Sequence, residues 1–244
     1  MARRRFFVDA VRGGTAAISG EEAAHLTRVL RVEEGQRFEI SDNEHVWLAE
    51  ITEAKKSLVK FRVLEELAPG SELPPLHLFA ALFKFDRFEW MVEKATELGV
   101  SRVIPVETER SEHGLFAAAA KRVERWRRIV REASQQSRRT RVPEVADPIR
   151  LPALPRDLTG ILLDELPGTA PLRIPEAWQE DRPLVMLLGP EGGWTEIERR
   201  SLVEAGWVSG SLGPTVLRAE TAGIAALAVA AHWWASRESI RTLD

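Results

Sequence analysis

The chain has 244 residues, of which 44% are apolar, and a formal net charge of −3 at pH 7. This length allows one large domain or two small ones, and the near-neutral charge excludes a protein coated in positive charge. The chain has no cysteine, which excludes disulfides and zinc–cysteine sites, and its five histidines lie scattered without metal-ligand spacing, so we expect no metal site. The basic start runs into FFVDAVRGG rather than a long apolar core, so we expect no signal peptide and a cytoplasmic protein.

The first part of the chain, residues 1–68, alternates short apolar stretches with turns, a pattern typical of a small β-barrel. The predicted strands are FFVDAV, RFEI, HVWLAEI and SLVKFRVLEEL. One helix, SGEEAAHLTRVLR, interrupts them, with Ser19 or Gly20 as its N-cap. The stretch LAPGSELPP, which contains Pro and Gly, then predicts a linker, which we place at residues 69–76.

From residue 77 to residue 244 the pattern changes to an alternation of strands and helices. The predicted strands are LHLFAALF, VIPV, GILLDEL, PLVMLL and WVSGSL. One helix is indicated by apolar residues at helical spacing, namely Phe88, Met91, Val92, Ala95 and Leu98. This alternation predicts an α/β fold with a mostly parallel sheet and helices on both faces. Asp164 and Glu165, at the end of GILLDEL, could face a pocket or be simple strand-end charges.

Basic residues are concentrated between Lys121 and Arg141, where nine of them accompany only two acids. A second basic cluster is formed by Arg3, Arg4 and Arg5. A localised patch in a near-neutral protein predicts a phosphate-binding face. The alternative is a solvated, arginine-rich helix face.

Two glycine-containing turns near the C-terminus are the strongest functional signal: LLGPEGGWTEIE and the longer segment that begins LGPTVLRAETAG. Each follows an apolar run that predicts a buried strand, and each leads into a helix. In open α/β folds, ligands bind where loops leave the carboxyl ends of strands, so we expect one pocket formed by both turns. Neither turn is a nucleotide-phosphate motif, because the chain contains no G-x-G-x-x-G and no G-x-x-x-x-G-K-[ST].

In the first turn, Gly189 and Gly193 allow close backbone approach to a ligand. Thr195 and Glu198 have the spacing of a capping box at the start of the next helix. A plain strand–turn–helix connection is the alternative, but it does not explain Glu191, a carboxylate with no basic neighbour in sequence.

The second turn contains Arg218, Glu220 and Thr221, just before a helix predicted over Ala222–Trp234. Helix capping explains one of these polar residues but not all three. The apolar part of this helix is too short to span a bilayer. It ends in two tryptophans that point about 100° apart, which a single core buries with difficulty. We therefore expect a homodimer interface that includes this helix, the alternative being burial of both tryptophans within one subunit.

GPEGG followed by LG-x-x-x-LR-x-ET resembles the paired C-terminal motifs of the SPOUT methyltransferases. More narrowly, the chain resembles the RsmE-type 16S rRNA (uracil-N3)-methyltransferases. The segments HLTRVLRVEEGQ, KFDRFEWMVEKATELGV, ERSE and RWRRIVREASQQSRR also resemble segments of that family, so the resemblance covers nearly the whole chain. It implies a PUA-like RNA-binding β-barrel at 1–68 and a trefoil-knotted SPOUT methyltransferase domain at 77–244.

The resemblance also implies S-adenosylmethionine as cofactor, 16S rRNA of the 30S subunit as partner, and a homodimer. The residues expected at the cofactor are Leu188, Gly189, Glu191, Gly193, Leu212, Gly213, Leu217 and Thr221. The residues expected at the RNA are Arg4, Arg28 and Arg31 in the first domain, and Arg127, Arg131 and Arg138 in the basic run.

Methyl transfer from a sulfonium needs no protein nucleophile, so the enzyme mainly positions two reactants. Uracil N3 must lose its proton, and Arg218 is the predicted catalytic cation that stabilises the developing negative charge. Glu220 or Glu191 could accept the proton or orient Arg218. Without cysteine, the covalent route to C5 methylation is excluded. Two alternatives stay open: a non-catalytic RNA-binding or assembly factor, and methylation of a ribose 2′-oxygen or a guanine.

Overall fold

The computed structural model describes residues 4–68, 70, 72–179 and 182–241. The chain divides into two compact units: an N-terminal unit of Met1–Ser71 with Arg131–Val142, and a C-terminal unit of Glu72–Val130 with Pro143–Asp244. The predicted division at residues 68 and 77 differs in one respect, since it assigns residues 131–142 to the second domain. Arg3, and the linker residues Pro69 and Ser71, lie outside the described residues.

The N-terminal unit contains a five-stranded sheet and one helix. Its elements are β1 (Arg5–Phe7), β2 (Thr15–Ser19), α1 (Gly20–Arg28), β3 (Arg37–Ser41), β4 (Val46–Lys55) and β5 (Leu58–Leu67). The strand order is β1-β3-β4-β5-β2, and only the β1–β3 pair is parallel. Alternating apolar side chains fill the core, among them Phe6, Ile40 and Phe61, none of which is exposed. Ser19 is the N-cap residue of α1, although its side chain makes no capping hydrogen bond.

The C-terminal unit contains a sheet in which every pair of strands is parallel. Its strands are β6 (Leu76–Ala81), β7 (Arg102–Glu107), β8 (Glu144–Val145), β9 (Ile149–Arg150), β10 (Ile161–Leu163), β11 (Leu184–Leu188) and β12 (Val208–Gly210). The order is β12-β10-β11-β6-β7-β8, with β9 also paired to β7. β11 is buried along its whole length, as expected for a parallel strand covered on both faces. This architecture confirms the predicted α/β fold with a mostly parallel sheet.

The helices of this region begin with α2 and continue to the C-terminus. They are α2 (Phe85–Glu97), α3 (Leu115–Ala120), α4 (Val123–Ser137), α5 (Glu196–Glu204) and α6 (Ala219–Arg241), with a short 3-10 helix at Leu151–Ala153. α2 buries Phe88, Met91, Val92 and Ala95, the apolar face that the sequence pattern predicted. α4 is divided between the two units, since Arg131 and the residues after it belong to the N-terminal one. Among the described residues, no helix is both long and apolar enough to cross a membrane.

The two tryptophans of α6, predicted to belong to a dimer interface, are largely covered within the chain itself. Trp234 is buried, and Trp233 is half-buried. Both rings contact Trp178 of the same chain, with centroid distances of 6.0 Å for Trp233 and 5.6 Å for Trp234. The difficulty that the sequence indicated for burying both rings in one subunit is smaller than expected, because a third tryptophan, distant in sequence, packs against them.

Candidate active site

A cavity of about 340 Å³ lies in the C-terminal unit, beyond the carboxyl ends of β10, β11 and β12. Three loops form its walls: the one that begins Leu163–Glu165, the one over Leu188–Trp194, and the one over Gly210–Arg218. Arg87, Ala219 and Ala222 complete the lining from two helices. The two glycine turns thus form one pocket at the edge of the sheet where ligands bind in such folds.

The loop after β11, which we call the GPEGG loop (Gly189–Gly193), is held by several polar contacts. Gly193 has φ +67°, and its N–H donates to the carbonyl of Pro190 at 2.9 Å. The indole Nε1 of Trp194 donates to the carbonyl of Leu163 at 2.9 Å, which fixes the end of the loop to β10. A Cβ at Gly189 would lie 3.0 Å from that indole, a tight approach that favours glycine there.

The predicted capping box at the start of α5 is present. The Thr195 hydroxyl accepts from the N–H of Glu198, whose carboxylate accepts from the N–H of Thr195. The ERSE segment adds to this arrangement, since Glu109 donates its N–H to Glu198 at 2.8 Å. Arg110 donates from Nη1 to the carbonyl oxygens of Gly192 and Trp194, at 2.8 and 3.3 Å. ERSE is therefore a support for the GPEGG loop, a role that the sequence alone did not indicate.

Glu191 has a basic partner after all, 104 residues earlier in the chain. The Arg87 Nη1 donates to its Oε1 at 2.5 Å. The Nε of the same guanidinium lies 3.8 Å from Oε1 of Glu220. Glu220 is only 5% exposed, and its Oε2 is buried without a hydrogen-bond partner. Arg218 is exposed at the cavity and, within the described residues, forms no ion pair.

A second ion pair lies at the end of β10. Arg199 donates two hydrogen bonds to Asp164, from Nε to Oδ2 at 2.6 Å and from Nη2 to Oδ1 at 3.2 Å. The hydrogen bond and the charge of Asp164 raise the pKa of the Arg199 guanidinium above its usual value. Glu165, the next residue, is exposed and lines the cavity. The pair serves to fix the strand end, while Glu165 faces the pocket.

Most of the predicted cofactor residues line the cavity. They are Leu188, Gly189, Glu191, Gly193, Leu212, Gly213 and Leu217, together with the predicted catalytic residue Arg218. Glu220 and Thr221 do not line it. Because α6 begins at Ala219, its first turn carries Glu220 into the interior and leaves Thr221 exposed. Arg87 and Trp194 line the cavity without having been predicted there.

The six predicted RNA contacts divide into two groups. Arg4, Arg28 and Arg31 are exposed and form no ion pair within the described residues. Arg131 binds Glu22 through Nε and Nη2, at 3.0 and 2.8 Å, and also the carbonyl of Phe7. Arg138 pairs with the buried Glu39.

Arg127, the remaining member of that second group, pairs with Glu124 at 2.5 Å and with Asp147 at 3.4 Å. Much of the charge in the basic run is therefore balanced by carboxylates of the same unit. The exposed residues of the run that form no ion pair within the described residues are Lys121, Arg128 and Arg141.

A second cavity, of about 810 Å³, lies beside α5 and Trp207. Its Arg150 is paired with Glu107 at 2.9 Å. Two of its other carboxylates, Glu109 and Glu198, belong to the hydrogen-bond network that caps α5. The smaller cavity is the better candidate site, because both glycine turns line it together with Arg218, which has no ion-pair partner among the described residues.

Comparison with known proteins gives matches along most of the chain. The family model described as RNA methyltransferase domain matches residues 71–231, and that described as RNA methyltransferase PUA domain matches residues 18–64. Ribosomal RNA small subunit methyltransferase E of Bacillus subtilis is 32% identical over 246 residues, covering 94% of this chain and 96% of its own length. The Synechocystis protein of that name is 34% identical, covering 88% of this chain and 72% of its own length.

Solved structures agree with these matches. Ribosomal RNA small subunit methyltransferase E from Neisseria gonorrhoeae, bound to S-adenosylmethionine, has a TM-score of 0.83 and 30% identity, covering 95% of this chain and 98% of its own. A methyltransferase from Legionella pneumophila, also with bound S-adenosylmethionine, has a TM-score of 0.82 and 28% identity, covering 96% and 98%. These matches confirm the predicted SPOUT class with a PUA-like domain.

Proposed function

Since this chain belongs to the RNA methyltransferase family that includes ribosomal RNA small subunit methyltransferase E, we propose that it methylates N3 of a uridine in 16S rRNA, with S-adenosylmethionine as the methyl donor. The observation that carries this proposal is Arg218 at the cavity formed by the two glycine turns, where no described carboxylate pairs with it. We further infer a cytoplasmic enzyme that acts on the 30S subunit as a homodimer.

The cavity supports the proposed cofactor by its size and its lining. Its volume of about 340 Å³ lies within the range of small-molecule sites. Its walls combine apolar side chains with backbone from the glycine turns, a combination suited to adenosine and to the methionine chain. The residues that would hold the cofactor are Leu188, Gly189, Gly193, Leu212, Gly213 and Leu217. When bound, the cofactor supplies a sulfonium-activated methyl group.

Arg218 is suited to the acceptor side of the reaction. Uracil N3 becomes negatively charged as it loses its proton, and a nearby cation stabilises that charge. Arg87 and Arg199 already face carboxylates, whereas Arg218 does not within the described residues. Of the two predicted carboxylates, Glu191 lines the cavity and Glu220 does not, so Glu191 is the better placed to accept the N3 proton.

We assign the binding of the RNA substrate to exposed cations of both units. Arg4, Arg28 and Arg31 of the N-terminal unit, with Lys121 and Arg128 of the C-terminal unit, are exposed and unpaired within the described chain, so they are free to contact phosphates. N3 lies on the pairing edge of the base, so the target uridine has to be unpaired or flipped out of its helix.

The homodimer proposal now rests on two helices that pack together rather than on the tryptophans. α2 approaches α6 closely, since a Cβ at Gly223 would lie 3.0 Å from the sulfur of Met91. On these two helices, Trp90 is 49% exposed and Val229 is 42% exposed. Large exposed apolar side chains mark interfaces, so we assign Trp90 of α2 and Val229 of α6 to contacts with a second copy of the chain.

The test of the reaction is nucleoside mass spectrometry of 16S rRNA from a strain that lacks this gene. We expect loss of one N3-methyluridine, and its return when purified protein and S-adenosylmethionine are added to the mutant 30S subunits. Loss of a 2′-O-methyl nucleoside or a methylguanine instead would identify the other chemistry. Unchanged rRNA, with no binding of S-adenosylmethionine by the purified protein, would favour the non-catalytic RNA-binding factor.

A further inference from the structure

One guanidinium at the cavity faces two carboxylates from different elements. Arg87, in the first turn of α2, lines the cavity. It donates from Nη1 to Glu191 of the GPEGG loop at 2.5 Å, and its Nε lies 3.8 Å from Glu220 of α6. A guanidinium presents its donors in a planar fork, so one side chain can serve both partners.

Glu220 has no direct route to a substrate. It is 5% exposed, while Ala219 and Ala222 on either side of it line the cavity in its place. A buried carboxylate is unfavourable without a cation or several donors. Within the described residues, Arg87 is the cation that lies within 4 Å of it. The position of Glu220 in the first turn of α6 also places its charge favourably at the helix N-terminus.

Glu191 differs from Glu220, since its side chain is 39% exposed. An exposed ion pair contributes little by itself, because two long side chains must be ordered to form it. Here the guanidinium of Arg87 also faces the buried Glu220, so part of its conformational freedom is lost before it pairs with Glu191. Arg87 therefore offers Glu191 a donor that is already in place.

The remaining anchors of the GPEGG loop hold its other end. Arg110 binds the carbonyl oxygens of Gly192 and Trp194, and Trp194 binds Leu163. At the third residue of the loop, Glu191, the side-chain anchor among the described residues is the contact with Arg87. The backbone at Gly189 lines the cavity, so the position of this half of the loop determines the shape of the cofactor site.

We propose that Arg87 is a positioning residue, oriented by the buried Glu220, that holds Glu191 and with it the first half of the GPEGG loop in the shape that binds the cofactor. The proposal rests on the proposed function to the extent that this cavity is the S-adenosylmethionine site. Arg87 acts here on cofactor affinity, whereas Arg218 acts on the acceptor.

The first test compares affinity with rate in single and double variants. Arg87→Gln should raise the Kd of S-adenosylmethionine about tenfold or more by calorimetry, and kcat at saturating cofactor should fall by a clearly smaller factor than the Kd rises. Glu191→Gln should raise the Kd similarly, and Arg87→Gln/Glu191→Gln should bind no more weakly than either single variant. Additive losses of cofactor-binding free energy in the double variant would overturn the proposal. A fall in kcat with unchanged Kd would also overturn it, since Arg87 would then contact the acceptor.

The second test separates positioning from folding. Arg87→Gln leaves Glu220 buried without a cation and should lower the melting temperature, whereas Arg87→Gln/Glu220→Gln should restore it with the Kd still raised. Arg87→Lys keeps the charge without the fork, so it should keep the melting temperature near that of the parent and give an intermediate Kd. Recovery of affinity together with stability in Arg87→Gln/Glu220→Gln would reduce Arg87 to a structural role and overturn the proposal.

The two proposals fail differently. A parent enzyme that binds S-adenosylmethionine but methylates another nucleoside overturns the proposed function and leaves the role of Arg87 standing. A parent protein that binds no S-adenosylmethionine overturns both. Additive effects at Arg87 and Glu191 in an active uridine methyltransferase overturn only the role of Arg87.

Discussion

At the scale of single residues, Arg218 allows the sharpest separation of rate from binding. Arg218→Ala should lower the methylation rate roughly 100- to 1000-fold, as loss of one electrostatic donor commonly does. S-adenosylmethionine affinity should change far less, because Arg218 is assigned to the acceptor. The rate deficit should shrink at alkaline pH, where more of the uracil ionises unaided. Single-turnover assays across pH, with calorimetry for the cofactor, check this; a deficit that is constant with pH would indicate a binding or structural role.

Gly193 tests whether the GPEGG loop holds the cofactor. A Cβ there would lie 3.0 Å from Oε1 of Glu165, and φ +67° is a conformation that side-chain-bearing residues rarely adopt. Gly193→Val should abolish S-adenosylmethionine binding and leave the N-terminal unit folded. The matched control is Gly168→Val, which places the same strain at φ +88° with nothing within 4 Å. Unchanged calorimetric affinity in Gly193→Val would remove the cofactor from this loop.

Contacts between residues close together in the chain could be predicted from the sequence, whereas contacts between distant residues could not. The capping box of Thr195 and Glu198 spans three residues, so its pattern could be recognised directly. The partner of Glu191 is 104 residues away, and that of Asp164 is 35 residues away. Such pairs depend on which loops the parallel sheet brings together. The resemblance marked the segment that contains Arg87, but only the fold showed which of its side chains reaches the cavity.

At the scale of elements, α4 shows why counting basic residues was insufficient. Among its arginines, Arg127 and Arg131 are each bonded to carboxylates of their own unit, whereas Arg128 is exposed and unpaired among the described residues. Charge counted along a sequence does not distinguish structural ion pairs from cations that face solvent. We therefore expect a phosphate-binding face narrower than the run from Lys121 to Arg141.

The difference between paired and unpaired arginines predicts that Arg128 affects RNA binding, whereas Arg131 affects the stability of the fold. Arg128→Ala should reduce the slope of log affinity for 30S RNA against log salt by nearly one, as loss of one phosphate contact does, with unchanged stability. Arg131→Ala should leave the slope unchanged and destabilise the fold by about 1–3 kcal/mol, since it removes charged hydrogen bonds to Glu22 and one to Phe7. Filter binding at several salt concentrations and urea unfolding measure the two quantities. A reduced slope in Arg131→Ala would return this residue to the RNA-binding face.

At the scale of the whole molecule, the proposed dimer rests on exposed apolar side chains of α2 and α6. Trp233 and Trp234 pack against Trp178 within one chain, so these two rings do not by themselves indicate a dimer. Periodicity within α6 could not reveal this contact, because Trp178 lies in a distant loop. Trp90 and Val229 supply a different argument, since they are large, exposed and carried by two helices that pack together.

We therefore expect a dimer of twice 27.4 kDa by light scattering at micromolar concentration. Trp90→Glu should shift the mass to the monomer, because association would bury an unpaired carboxylate in an apolar interface. Val203→Glu is the matched control: Val203 is 50% exposed but lies on α5, so this variant should stay dimeric. A parent protein that is monomeric and fully active would overturn the dimer. Dissociation by Val203→Glu with a dimeric Trp90→Glu would move the interface to α5.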